Sequence, residues 1–289
     1  MKIDPTLEAH VRAAFAPLNT EAAVDAFPSP SSLSQALSVA LPAGARGVTI
    51  TTAPQAVARM FTTAAVNMWM RAVHSFLVSA SLTNVSPTWA SVAGYYSSHY
   101  TVRALAHLLG FFQLYVRKRV VHLELQGGRY SCTYRQKTAS DREHRVYWKL
   151  VKNDQHFAGD PFFTQNDSSG DESDVAHRDW ANYADHLPQF PLFRPLDATT
   201  LKARIDRISE IEFSAPPIPR LSQYPDVDSV QIVAYHRLVR FRDLVDAIIG
   251  DDNRFWKVHR NPPWARDFMD FQLTKDESLK AQFTLNGST

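Results

Sequence analysis

Apolar residues recur at helical spacing through the first half of this chain and then switch to strict alternation. Val57, Met60, Phe61, Ala64, Met68, Ala72, Val73 and Phe76 fall on one stripe. That periodicity predicts an amphipathic helix over about 53–81. Thr52-Ala53-Pro54-Gln55 supplies its start, a capping box with proline in the first turn. Asn84–Thr88, with Pro87, breaks the pattern, and Ser86 or Thr88 caps a second helix predicted over about 88–116. Beyond it the period falls to two. Val121, Leu123 and Leu125 alternate with His122, Glu124 and Gln126; after Gly127-Gly128, Tyr130, Cys132 and Tyr134 alternate with Arg129, Ser131, Thr133 and Arg135. Two such runs joined by Gly-Gly predict a β-hairpin over about 120–135 with a tight primed turn, projecting from the helices.

The remaining elements follow from caps and breakers. Ser140-Asp141-Arg142-Glu143 is a second capping box and opens a helix through Val146, Tyr147, Leu150 and Val151. Residues 153–175 are polar and predict a long exposed loop. Asp197 caps a helix carrying Leu201, Ile205, Ile208 and Ile211. Ala215-Pro216-Pro217-Ile218-Pro219 reads as a rigid linker. A last helix is predicted over about 226–249, between a cap at Asp226 and Gly250. Upstream, Pro17, Pro28 and Pro30 separate short helical patterns. The expected organisation is an N-terminal helical cap (1–45), a helical bundle with the hairpin (46–250) and a C-terminal extension (251–289). The expected fold class is mainly α, a multi-helix bundle with an inserted β-hairpin.

Composition changes this picture little. Apolar residues make up 45%, and 17 Phe with 6 Trp promise a core rich in aromatics. The single cysteine, Cys132, cannot close an internal disulfide, which fits a reducing cytosol. Met1-Lys2-Ile3-Asp4-Pro5 does not open a secretory leader. Arg59, Arg71 and Arg103 interrupt the longest apolar windows, so no membrane span is expected. These features point to a cytoplasmic protein away from membranes.

Charge is informative locally. The net formal charge is only +2, but residues 117–152 hold ten Lys/Arg against three acids. Residues 160–185 reverse the sign, with Asp160, Asp167, Asp171, Glu172, Asp174, Asp179 and Asp185 against Arg178 alone. Either the basic block is a phosphate-binding face, with Arg119, Arg129, Arg135, Lys137, Arg142, Arg145 and Lys149 as contacts, or the two blocks neutralise each other within the fold.

Several chemistries find no footing. His177, Asp185 and His186 lie near Asp174 and Asp179, but their spacing gives no helical ligand pair, so no metal is expected. No Gly-rich phosphate loop opens a helix, no serine sits in a nucleophile elbow, and no cofactor is implied. Cys132 shares its alternation with Tyr130 and Tyr134 and reads as a packed thiol. His107, on the aliphatic helix, reads as a core histidine.

The run from Tyr95 to Gly110 resembles a core helix of the HEPN superfamily, small bacterial helical domains. Many of these are ribonucleases or partners of nucleotidyltransferases in toxin–antitoxin and phage-defence systems. Tyr95, Tyr96, Ser97 and Ser98 match the start of the recurring run, and Arg103, Ala104 and Leu105 its end. His99 and Tyr100 invert its aromatic-then-histidine order. The resemblance implies that Tyr95, Tyr96 and Arg103 are structural. It also implies a metal-independent ribonuclease site, in which an arginine steadies the scissile phosphate and a nearby histidine helps the 2′-hydroxyl attack. Arg117 with His122 fits the expected spacing, and Arg254 with His259 is a second candidate pair. Lys118 matches the polar residue that usually follows the arginine, whereas Phe255 departs from it.

Two function classes remain open. One is an RNA-acting HEPN-like protein of a bacterial defence or toxin–antitoxin system, and an endoribonuclease if it is an enzyme. The other is a non-catalytic helical module that binds a cognate partner protein. Either is compatible with an oligomer.

Overall fold

The computed structural model describes residues 47–49, 54–114, 119–138, 143–157, 160–164, 198–210, 227–249 and 283, together with Pro5, Glu8, Ala9 and Arg12. Among them the chain is mostly helical with a small antiparallel sheet. The order is β1 (Gly47–Thr49), α1 (Pro54–Leu82), α2 (Pro87–Leu108), β2 (Phe111–Leu114), β3 (Arg119–Gln126), β4 (Arg129–Gln136), α3 (Glu143–Lys152), α4 (Pro161–Thr164), α5 (Ala198–Ser209) and α6 (Val227–Ile249). The expected cap at 1–45, the proline linker and the C-terminal extension lie largely or wholly outside the described residues.

The two long helices form a hairpin. Ser86 N–H donates to the Leu82 carbonyl at 2.8 Å, and Pro87 starts α2 where no N–H is needed. Val57, Trp69, Val73, Phe76 and Leu77 of α1 are buried, and α2 packs on α1 and then on α6. Gly94 permits that three-way approach. A Cβ there would stand 2.7 Å from Val230 Cγ1 and 3.1 Å from Ser79 Oγ.

A polar seam crosses the same interface and is satisfied. Gln231 donates to Ser79 Oγ at 3.0 Å and to Thr83 Oγ1 at 2.8 Å, while its carbonyl accepts from the Arg204 guanidinium at 2.8 and 2.9 Å. Ser79 Oγ in turn donates to the Ala90 carbonyl at 2.6 Å. Buried amides need such partners, because an unmade hydrogen bond there costs about 1–3 kcal/mol.

The second helix is shorter than its pattern predicts. It ends at Leu108, and residues 111–114, expected to be helical, form β2. The apolar run around Gly110 fits either period. Gly110 decides it by adopting a φ of 83°, which turns the chain and lets its carbonyl accept from Leu123 N–H at 3.0 Å.

The hairpin forms where expected, with Gly127 and Gly128 at φ of 55° and 78°, the conformation of a type I′ turn. It does not project. It is the centre of a four-stranded sheet in the order β1-β4-β3-β2, antiparallel throughout. Val121, Leu123, Tyr130 and Cys132 on its inner face are buried in the helical core. An apolar face of this size is stable only when covered, which is why the hairpin lies down.

The expected loop after α3 also carries core residues. Phe157, Phe162 and Phe163 are buried, with Phe157 and Phe163 edge to face at 5.5 Å. Residues 165–175 of that loop lie outside the described residues.

Candidate functional site

Strand pairing sets one side of the site. Register places His122 opposite Thr133 and Glu124 opposite Ser131 on the outer face of the β3–β4 hairpin, with Arg135 farther along the same face of β4. On the other side of β3, Phe111 of β2 lies opposite His122. The two rings stack, with centroids 4.1 Å apart and planes 14° from parallel.

The turn that delivers Phe111 is held at three consecutive carbonyls. Leu109 O accepts from His122 Nε2 at 3.1 Å, Gly110 O from the Leu123 amide, and Phe111 O from His107 Nδ1 at 2.9 Å. His107 is the core histidine its position implies. It is buried, stacked on Phe112, and its Nε2 accepts from Arg103 Nε at 3.4 Å. Burial, reinforced by the Arg103 charge and only partly offset by the bond to Phe111, pushes its pKa down to about 3. The ring is therefore a neutral clamp.

His122 is placed differently. With Nε2 on the Leu109 carbonyl, its Nδ1 lies 3.4 Å from Glu124 Oε1. Both nitrogens face acceptors. A neutral ring donates to one of them, and the imidazolium donates to both.

The opposite wall comes from the end of α3. Val146, Tyr147 and Val151 face the core, and the Tyr147 hydroxyl accepts from Gln113 N–H at 3.2 Å, fixing the helix to β2. Lys149 is thereby turned outward. Past the helix end, Asp154 Oδ1 accepts from both the backbone N–H of His156, at 2.9 Å, and its ring Nδ1, at 2.8 Å. An aspartate two residues before its partner makes such an Asx turn readily. The carboxylate accepts the Nδ1 proton and so fixes the orientation of the ring.

Three contacts hold this turn against the body of the protein. Phe157 is anchored in the core. Asp160 accepts the Phe162 amide at 2.9 Å and pairs with Arg240 of α6 at 3.3 Å. Arg237, buried on α6, donates to the Phe162 carbonyl at 2.7 Å and lies over the Trp148 ring at 4.6 Å.

Between the two walls is a cleft of about 520 Å³, lined by Phe111, His122, Glu124, Arg135, Lys149 and the 153–156 turn with His156. Two histidine–carboxylate pairs and two cations thus share one recess. The pairs are separate, and among the described residues no three such side chains converge to hold a metal ion.

Of the residues singled out in the sequence, His122, Arg135 and Lys149 meet in this cleft. Lys137 lies apart, donating to Gln113 Oε1 at 3.3 Å. Arg129 is exposed beside the hairpin turn, and Arg145 is half-buried on α3. Arg119 begins β3, where it pairs with Leu114 and Gln136, and its side chain lies outside the described residues. Arg117, Arg142, Arg254 and His259 also lie outside them. Glu124, Asp154 and His156 were not singled out. The Asp-x-His spacing just after a predicted helix end was their signal. Cys132 is fully buried and its thiol is pushed up to about 11 by burial, as suits a packed side chain. No described helix is long and apolar enough to cross a membrane.

No family model, no curated protein and no solved structure matches this chain.

Proposed function

We propose that this chain acts on RNA at the cleft between the outer sheet face and the end of α3. One observation carries the reading: His122 shares that recess with the cations Arg135 and Lys149, which reach it from separate elements. Phosphate oxygens take charge-assisted hydrogen bonds from such cations, and Phe111 offers an aromatic wall beside them. The HEPN-like run on α2 supports the context, an RNA-acting cytoplasmic protein of a bacterial defence or toxin–antitoxin system. Arg117 with His122, and Arg254 with His259, stay as the pairs that resemblance implies.

The test is binding of a short fluorescent single-stranded RNA by anisotropy. Affinity is expected to fall with salt, with a logarithmic slope of about −0.7 for each phosphate neutralised. The double variant Arg135→Glu, Lys149→Glu is expected to remove binding. If the unaltered protein shows no RNA binding at low salt, the proposal fails and a cognate partner protein becomes the better reading.

A further inference from the structure

The cleft carries a carboxylate that its own fold uses only in part. Glu124 stands on the outer face of β3, and its side chain is 42% exposed. Gln126 Nε2 donates to Oε2 at 2.9 Å, and His122 Nδ1 lies 3.4 Å from Oε1. Among the described residues each oxygen thus faces one partner, whereas a carboxylate has about four lone-pair sites shared over its two oxygens. Acceptor capacity remains on both, side by side. Asp154, the other carboxylate of the cleft, is committed. Its Oδ1 takes both the amide and the ring of His156, and its side chain is 15% exposed.

Two adjacent acceptors suit two adjacent donors. Among the bases of RNA only guanine presents them, N1–H and the N2 amino group on its Watson–Crick edge. Adenine and cytosine set an amino group beside a ring-nitrogen acceptor, and uracil flanks its N–H with two carbonyls. Those acceptors would face the carboxylate and repel it. Stacking makes no such choice, because every base has a π-face. Phe111 supplies that contact: its ring lines the cleft and lies on His122 at 4.1 Å. Glu124 is two residues past His122, so ring and carboxylate share one sheet face about 7 Å apart along the strands.

Resting on the reading of the cleft as an RNA site, we propose that it selects guanine in single-stranded RNA, with Glu124 as the specificity-determining residue. Guanine N1–H and N2–H donate to the two oxygens of Glu124. The base lies against Phe111, and the flanking phosphates meet Arg135 and Lys149. Ring and cations supply affinity, and the carboxylate supplies the choice of base.

Fluorescence anisotropy with uridine pentamers carrying G, A, C, U or inosine at the centre tests this. The G-centred oligomer is expected to bind on the order of tenfold tighter than those with A, C or U, the scale of one well-made bidentate base contact. Inosine keeps N1–H but lacks the N2 amino group, so it should fall between. Glu124→Gln replaces two acceptors by one acceptor and one donor, and should bring the affinities for G and A together. Phe111→Leu should weaken every oligomer while G stays ahead of A. Circular dichroism of each variant checks folding.

Equal affinity for all the oligomers, or a preference for another base, refutes the inference and leaves the RNA proposal standing. A guanine preference that survives Glu124→Gln overturns the role of Glu124. Guanosine 5′-monophosphate binding as tightly as the G-centred oligomer would put a free nucleotide in the cleft and overturn the RNA reading. A protein that binds none of these probes at low salt ends both.

Discussion

Acid should destabilise this protein through His107, and the amount can be worked out. The unfolded ring takes a proton near its ordinary value of 6.5, whereas the folded ring stays neutral until about pH 3. Between those values the unfolded state binds more protons, so stability falls as pH falls. Each pH unit inside that window is worth about 1.4 kcal/mol. Going from about pH 7 to about pH 4 should therefore cost about 3 kcal/mol from this one side chain. For a protein that is stable by about 5–15 kcal/mol, that is a large share. Urea unfolding at a series of pH values measures the total acid slope, to which carboxylates also contribute. His107→Gln isolates the histidine, because its amide can still donate to the Phe111 carbonyl but does not titrate in this range. The variant should be less stable at neutral pH, having lost the stack on Phe112 at 4.6 Å, and should show a flatter acid limb. Parallel limbs in the two proteins would mean that His107 is not held neutral by the fold.

Other substitutions probe the scaffold of the site. Gly110→Ala combines a φ of 83° with a collision between the new Cβ and the Leu123 carbonyl; chemical denaturation should show a loss of about 2–4 kcal/mol. Gly94→Ala must displace the stiff Val230 side chain and should cost about 1–3 kcal/mol by the same measurement. Arg240→Ala removes the ion pair to Asp160 and the contact over Phe162 at 4.2 Å. It should cost about 1–2 kcal/mol and speed amide exchange in residues 153–157 and 160–163, while exchange in α1 stays as it was.

The first long helix, the start of the second and the hairpin were legible because each has a clear period or a marked boundary. The stripe ending at Phe76, the break at Pro87 and the paired glycines at 127–128 leave one reading each. β2 was not legible, since residues 108–114 fit helix and strand alike and only the tertiary pairing of Gly110 with Leu123 separates them. β1, three residues long, owes its existence to β4 and has no pattern of its own. The exposed-loop reading of 153–175 missed the burial of Phe157, Phe162 and Phe163, because polar residues outnumber the phenylalanines there and burial depends on what α6 offers them. The site was half visible. His122, Arg135 and Lys149 carried a charge or motif signal. His156 did not, because its importance comes from an Asx turn and from facing a sheet distant in sequence.

Chemical-shift mapping locates the RNA site on the protein. A short single-stranded RNA with a 2′-deoxy block at the scissile position would be titrated into the isotopically labelled protein. The largest amide and imidazole shifts should fall on Phe111, His122, Glu124, Arg135, Lys149 and the turn from Asn153 to His156. They should vanish in the Arg135→Glu, Lys149→Glu variant. Shifts centred elsewhere, or none at low salt, would contradict RNA binding at the cleft.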